Sequence, residues 1–166
     1  MIYYGAVAVL ALGSLVLYSV FPQILGSIWA TPDILLILAV FNAMFRGPVH
    51  GGGVAFLLGL LEDLFFGRFI GLNALAKGVA GLLVGMMAKS TYRENMWVPV
   101  INVFFGSLLS LAIVYIMGHL AGARWYFSVI IEQSFLEVLF TVCLVPFLYG
   151  PYFHFADKQL HLREEL

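Results

Sequence analysis

The chain has 166 residues, with eight Lys or Arg against nine Asp or Glu for a formal net charge of −1, and it is 63% hydrophobic and only 10% charged. A water-soluble domain carries about 25% charged residues, so too few polar side chains are present to coat a water-facing surface, and lipid is the expected solvent. The charge balance excludes a nucleic-acid partner, since no Lys/Arg cluster overrides it, and the single cysteine, Cys143, excludes an intrachain disulfide and metal-ligand spacing.

Mean hydropathy is +1.02. A helical span needs about 20 mostly apolar residues, which leaves no room for a separate soluble domain. One all-α integral membrane domain over residues 1–166 is expected. The first span covers residues 2–21 and ends at Pro22. It lacks a basic leading region and an A-x-A site, so it reads as a span rather than a cleaved signal. The second, residues 31–45, opens with "TPDILLILAVFNAMF". There Thr31 is the expected N-cap, Pro32 suits the first helical position, and Asp33 complements the dipole.

The third span, residues 48–66, follows "RGPVHGGG", and the fourth covers residues 71–88. The fifth covers 96–119 and the sixth 128–149, stopped by Gly150-Pro151. Residues 150–166 form a short polar tail. Membrane strands would alternate apolar and polar residues, whereas these runs are apolar all round. Helices also satisfy their backbone groups within one segment, as lipid demands.

Six spans place both termini on one side. With both in the cytoplasm, the inner segments hold Arg46, Lys89, Arg93, Lys158 and Arg163, and the outer loops hold only Arg68 and Arg124. The positive-inside rule therefore favours cytoplasmic termini. Trp29, Trp97 and Trp125 fall at span boundaries, as interface anchors do.

Helices in lipid associate through small residues and a few polar contacts. In the fourth span Ala74, Gly78, Gly81, Gly85 and Ala88 recur at steps of four and three, which places them on one face. Gly52, Ala55 and Gly59 line one face of the third span, which Glu62 and Asp63 extend. Asn102, Gly106 and Ser110 do the same in the fifth. Such seams pack within the chain or form a groove for another protein's helix.

In "GLLEDLFFGRFIGLNAL", Glu62 and Asp63 fall near the end of their span. A charge inside hydrocarbon costs ~2.5–3.5 kcal/mol even on the lenient scale, so an intramembrane acid marks a site by default. The favoured reading is a polar clasp, with either acid accepting hydrogen bonds from backbone N–H groups near Gly71 to Asn73. Arg68 is a candidate partner, and Lys77 either reaches the same carboxylates or snorkels outward. Gly59, Gly67 and Gly71 permit the tight backbone. An ion or proton relay would need further acids or histidines across the membrane. Glu132 and Glu137 are the nearest, and being five apart they do not share a face well. They are expected to answer Arg124 or local backbone, or to line a partner surface.

His50 and His119 lie at span ends, while His154 and His161 lie in the tail without metal-ligand spacing. G-x-S-x-G and the phosphate-cradling glycine loop are absent. No catalytic constellation is found, and no cofactor is expected.

The segment from Thr31 to Gly85 resembles the rod shape-determining protein MreD family of bacteria. The matching elements are Pro32-Asp33, Gly59 with Glu62-Asp63, and Gly67, Gly71, Leu72, Asn73 and Ala74-Leu75. The resemblance implies a non-enzymatic, multi-pass scaffold of the inner membrane in the cell-elongation machinery. Its implied direct partner is an MreC-like single-span protein, with RodA, penicillin-binding protein 2 and the MreB filament in the same complex. It also implies a fold like the S components of energy-coupling-factor vitamin transporters, which supplies a rival function. Against that rival, the A-x-x-x-A pattern is missing from the first span: Ala6, Ala8 and Ala11 are followed four residues later by Leu10, Leu12 and Leu15. A vitamin pocket also needs convergent polar and aromatic groups, for which the outer loops offer only Trp29, Trp125 and Tyr126. A small ion- or proton-coupled transporter is the third reading.

Overall fold

Apolar runs that must satisfy their backbone groups without water coil into helices. In the computed structural model these are α1 (Ile2–Leu25), α2 (Ile34–Arg46), α3 (Pro48–Phe66), α4 (Leu72–Ala88), α5 (Trp97–Leu120) and α6 (Phe127–Glu164). The structure describes residues 2–25, 31–66, 69–88, 95–122 and 127–164, and no strand occurs among them. Among the described residues three stretches are long and apolar enough to cross a membrane: α3, α5 and residues Ser134–Phe153 of α6. Helices α2 and α4 are shorter apolar helices, while α1 runs 24 residues.

The bundle is built around α2. Every residue from Leu35 to Phe45 is buried, the pattern of a helix surrounded by protein on all sides. Its 13 residues rise only ~20 Å. Each of the other helices packs against it. Gly106 of α5 lets that helix approach, since a Cβ there would lie 3.1 Å from Val40 Cγ2. On α6, Tyr149 meets the Phe41 ring edge-on and Tyr152 at a tilt, at centroid distances of 5.2 and 5.1 Å.

The α3–α4 hairpin is the most extensive interface, and small residues create it. Gly78 faces Phe56, Gly81 faces Ala55, and Gly85 lies against Pro48. A Cβ on Gly81 would sit 2.6 Å from that of Ala55, and one on Gly85 would sit 2.6 Å from Pro48 Cα. Ala74 and Ala88 are buried on the same face. The α4 seam is thus filled by α3. Outward, α1, α4 and α5 present large apolar side chains such as Val9, Leu10, Met86, Met87, Phe104 and Phe105.

Three expected boundaries differ. Helix α1 continues through Pro22 to Leu25. Helix α6 does not stop at Gly150-Pro151 but runs 38 residues with Pro146 and Pro151 inside it, replacing the expected short tail. A proline removes one backbone bond, and membrane helices tolerate this where neighbours supply the stability. At ~57 Å of helix, α6 exceeds the ~30 Å hydrocarbon core, so its C-terminal part extends beyond it. Finally, α2 is capped by Asp33 rather than Thr31: its carboxylate accepts from Leu36 N at 2.8 Å. Pro32 precedes the cap, and its carbonyl accepts from Ile34 N at 3.0 Å.

Candidate functional site

Asp63 is 1% exposed, and its carboxylate closes the α3–α4 turn. One oxygen, Oδ2, accepts from the backbone N–H of Gly71 at 2.8 Å and of Ala74 at 3.0 Å, while Oδ1 accepts from Asn73 N at 3.2 Å. These are the N–H groups that a helix start leaves without partners, and a carboxylate there also meets the positive end of the dipole. The cap of α4 therefore comes from the preceding helix. Two glycines permit it. Gly71 has φ +103°, in the left-handed region that disfavours side chains. Gly59 lies so close to α4 that a Cβ would meet the Asn73 carbonyl and stand 2.7 Å from Ala74 Cα.

Glu62 faces elsewhere, because adjacent helical residues project about 100° apart. It forms an ion pair with Lys77 Nζ. The same ammonium pairs with the Asp33 carboxylate. Lys77 is 1% exposed and does not snorkel. Its partners come from the start of α2 and the end of α3, so one side chain joins three helices. Asp33 extends the join to α6, because its backbone N–H donates to Thr141 Oγ1 at 2.9 Å, and that hydroxyl donates to the Glu137 carbonyl at 2.6 Å.

Beside this network is a cavity of about 180 Å³ between α1, α2, α3, α4, α5 and α6. Its wall includes Tyr18, Asp33, Glu62, Asn73, Ser107, Ser110, Glu137 and Thr141. This corrects two expectations. Convergent polar and aromatic groups do exist, carried by the helices rather than by the outer loops. Glu137 lines this cavity with Asp33 and Glu62 rather than an outer surface, while Arg124, the other partner expected for it, lies outside the described residues. The signal in the sequence was the i, i+4 pair of Glu137 and Thr141, which share a helical face, together with the rule that an intramembrane acid marks a site.

The structure therefore divides the expected clasp. Asp63 and the backbone at Gly71, Asn73 and Ala74 form the turn, while Glu62, Lys77 and Asp33 form an ion network one step inward. Of the two acids it is Asp63 that ties down the turn, while Glu62 meets Lys77 across the hairpin. The Asn73 side chain lines the cavity. Gly67 and Arg68 lie outside the described residues, as do Trp29, Lys89, Arg93, Arg124, Trp125 and Tyr126. The side chains of Glu132, His154, Lys158, His161 and Arg163 are likewise outside the description. Among the described residues no group of three His, Cys, Asp or Glu is arranged to hold a metal ion.

A buried network of this kind, on an all-helical apolar bundle, defines a membrane protein whose intramembrane charges are largely engaged with one another. The family model described as rod shape-determining protein MreD matches residues 2–153. That is nearly the whole chain, and the chain belongs to this family of bacterial membrane proteins of rod-shape determination. Comparison with curated proteins and with solved structures gave no match.

Proposed function

We propose that the chain is a non-enzymatic scaffold of the cell-elongation machinery, crossing the inner membrane six times with both termini in the cytoplasm. It binds the span and juxtamembrane segment of an MreC-like partner directly. Through that partner it supports peptidoglycan synthesis by RodA and penicillin-binding protein 2 along the MreB filament. The observation that carries this reading is the join made by Lys77, which ties α2, α3 and α4 through Asp33 and Glu62. A bundle locked from within presents pre-formed outer faces, which lowers the ordering cost of association. Because the small-residue face of α4 is occupied by α3, the partner meets lipid-facing surface rather than that seam.

The test is co-purification from membranes in a non-ionic detergent. A tagged copy of the chain is expected to bring down an MreC-like protein in constant ratio. If both proteins are monodisperse and stay separate, the scaffold reading fails.

A further inference from the structure

We propose that Gly150-Pro151 forms a joint in α6, pinned by Phe45 of α2, that sets the direction in which the end of α6 leaves the bundle.

Helix α6 continues through both Pro146 and Pro151. A proline lacks the N–H that would bond the carbonyl four residues earlier, so Val142 and Phe147 each lose that donor. The two breaks are not equivalent. Pro146 lies between two held residues: Thr141, whose hydroxyl accepts from the Asp33 N–H at 2.9 Å, and Val145, which is wholly buried. Pro151 instead follows Gly150, the residue type that brings most backbone freedom to a helix. A Cβ on Gly150 would meet nothing within 4 Å, and Phe147, one turn earlier, is 79% exposed.

Rings from α2 span this second break. Phe45 meets Tyr149 before it at a centroid distance of 6.3 Å, and Tyr152 and Phe153 after it at 5.7 and 5.9 Å. Phe41 also reaches both sides, through Tyr149 and Tyr152. Ring pairs at about 4.5–7 Å attract one another beyond their area burial. Side-chain contacts therefore take over from the missing backbone bond in fixing the two parts of α6 to each other. Phe45 makes three of them from the last turn of α2.

The apolar stretch of α6 ends at Phe153, directly after the joint. Residues 154–164 continue as helix for about 16 Å. With Phe45 seated among the rings this arm has one direction; without the pin it turns about Gly150-Pro151. Helix α2 begins at Asp33, in the ion network, and ends at the pin, so a shift of α2 is passed to the arm.

Spin labels at Val49→Cys, exposed near the start of α3, and at Gln159→Cys on the arm are introduced into the full chain, with the exposed Cys143 changed to Ser. Their separation is measured by pulsed dipolar spectroscopy in lipid nanodiscs. One narrow distance distribution is expected for the parent. Phe45→Leu, which keeps apolar bulk without a ring, should at least double its width. Phe153→Leu, at a half-buried and more tolerant position, should broaden it less. Adding Pro151→Ala to Phe45→Leu should narrow the distribution again, because the bond to the Phe147 carbonyl returns. Met87→Ala, exposed on α4, should match the parent. A broad distribution in the parent would overturn the proposal, as would unchanged width in folded Phe45→Leu and Phe153→Leu. Breadth in Phe45→Leu that Pro151→Ala leaves in place would overturn it too, since no joint at the proline is then involved.

Discussion

Lys77 pairs with two carboxylates at once, and its substitution should show it. Removing one partner from a buried ion network leaves the others uncompensated, which costs about 3–5 kcal/mol. Lys77→Met should therefore lower the thermal midpoint in detergent markedly. Combining it with Asp33→Asn and Glu62→Gln should restore most of the loss, because no uncompensated charge then remains at those three positions and Asn still caps α2. A second expectation concerns Asp63. With Leu there, the N–H groups of Gly71, Asn73 and Ala74 lose their acceptor, at about 1–3 kcal/mol for each buried group left unsatisfied. The monodisperse fraction on gel filtration should fall sharply, and Asp63→Asn should fall less. The Asp63 turn was legible in the sequence because the acid stands only eight residues before Gly71. The Lys77 bridge was not, because Asp33 is 44 residues away and nothing local links a helix start to the interior of another helix. Glu137 was misread for a related reason: helical spacing shows which residues share a face, but not which way that face turns.

Between elements, the α3–α4 hairpin depends on absent side chains. Gly81→Leu would drive a branched side chain into Ala55, where even a Cβ would sit 2.6 Å away. Overpacking of that size costs about 1–3 kcal/mol or more. Gly53 lies on α3 with nothing within 4 Å of an added Cβ, so Gly53→Ala should leave the thermal midpoint near the parent value. If the two variants melt alike, the hairpin is not held by close approach. The seam was readable because small residues at steps of three and four mark a helix face wherever the helix sits. Helix ends were less so. Pro22, Pro146 and Pro151 read as stops, yet α1 and α6 pass through them, since in lipid a helix is maintained by the lack of any alternative partner for its backbone. The burial of α2, buried Asn42 included, follows from its mostly apolar sequence only once five other helices are seen around it.

At the scale of the molecule, the described intramembrane acids gather at one end of the bundle instead of continuing across it, which fits a lock rather than a conduit. Proteoliposomes bearing the chain should therefore carry no proton or sodium flux above empty vesicles under a pH or sodium gradient. The scaffold account depends on association, and the most direct measurement is the affinity of the chain for an MreC-like partner's membrane span with its juxtamembrane segment, both in lipid nanodiscs. The account predicts saturable one-site binding to the parent chain, with the loss in Lys77→Met tracking its loss of folded protein. A fully folded parent chain that shows no saturable binding to that segment would contradict it.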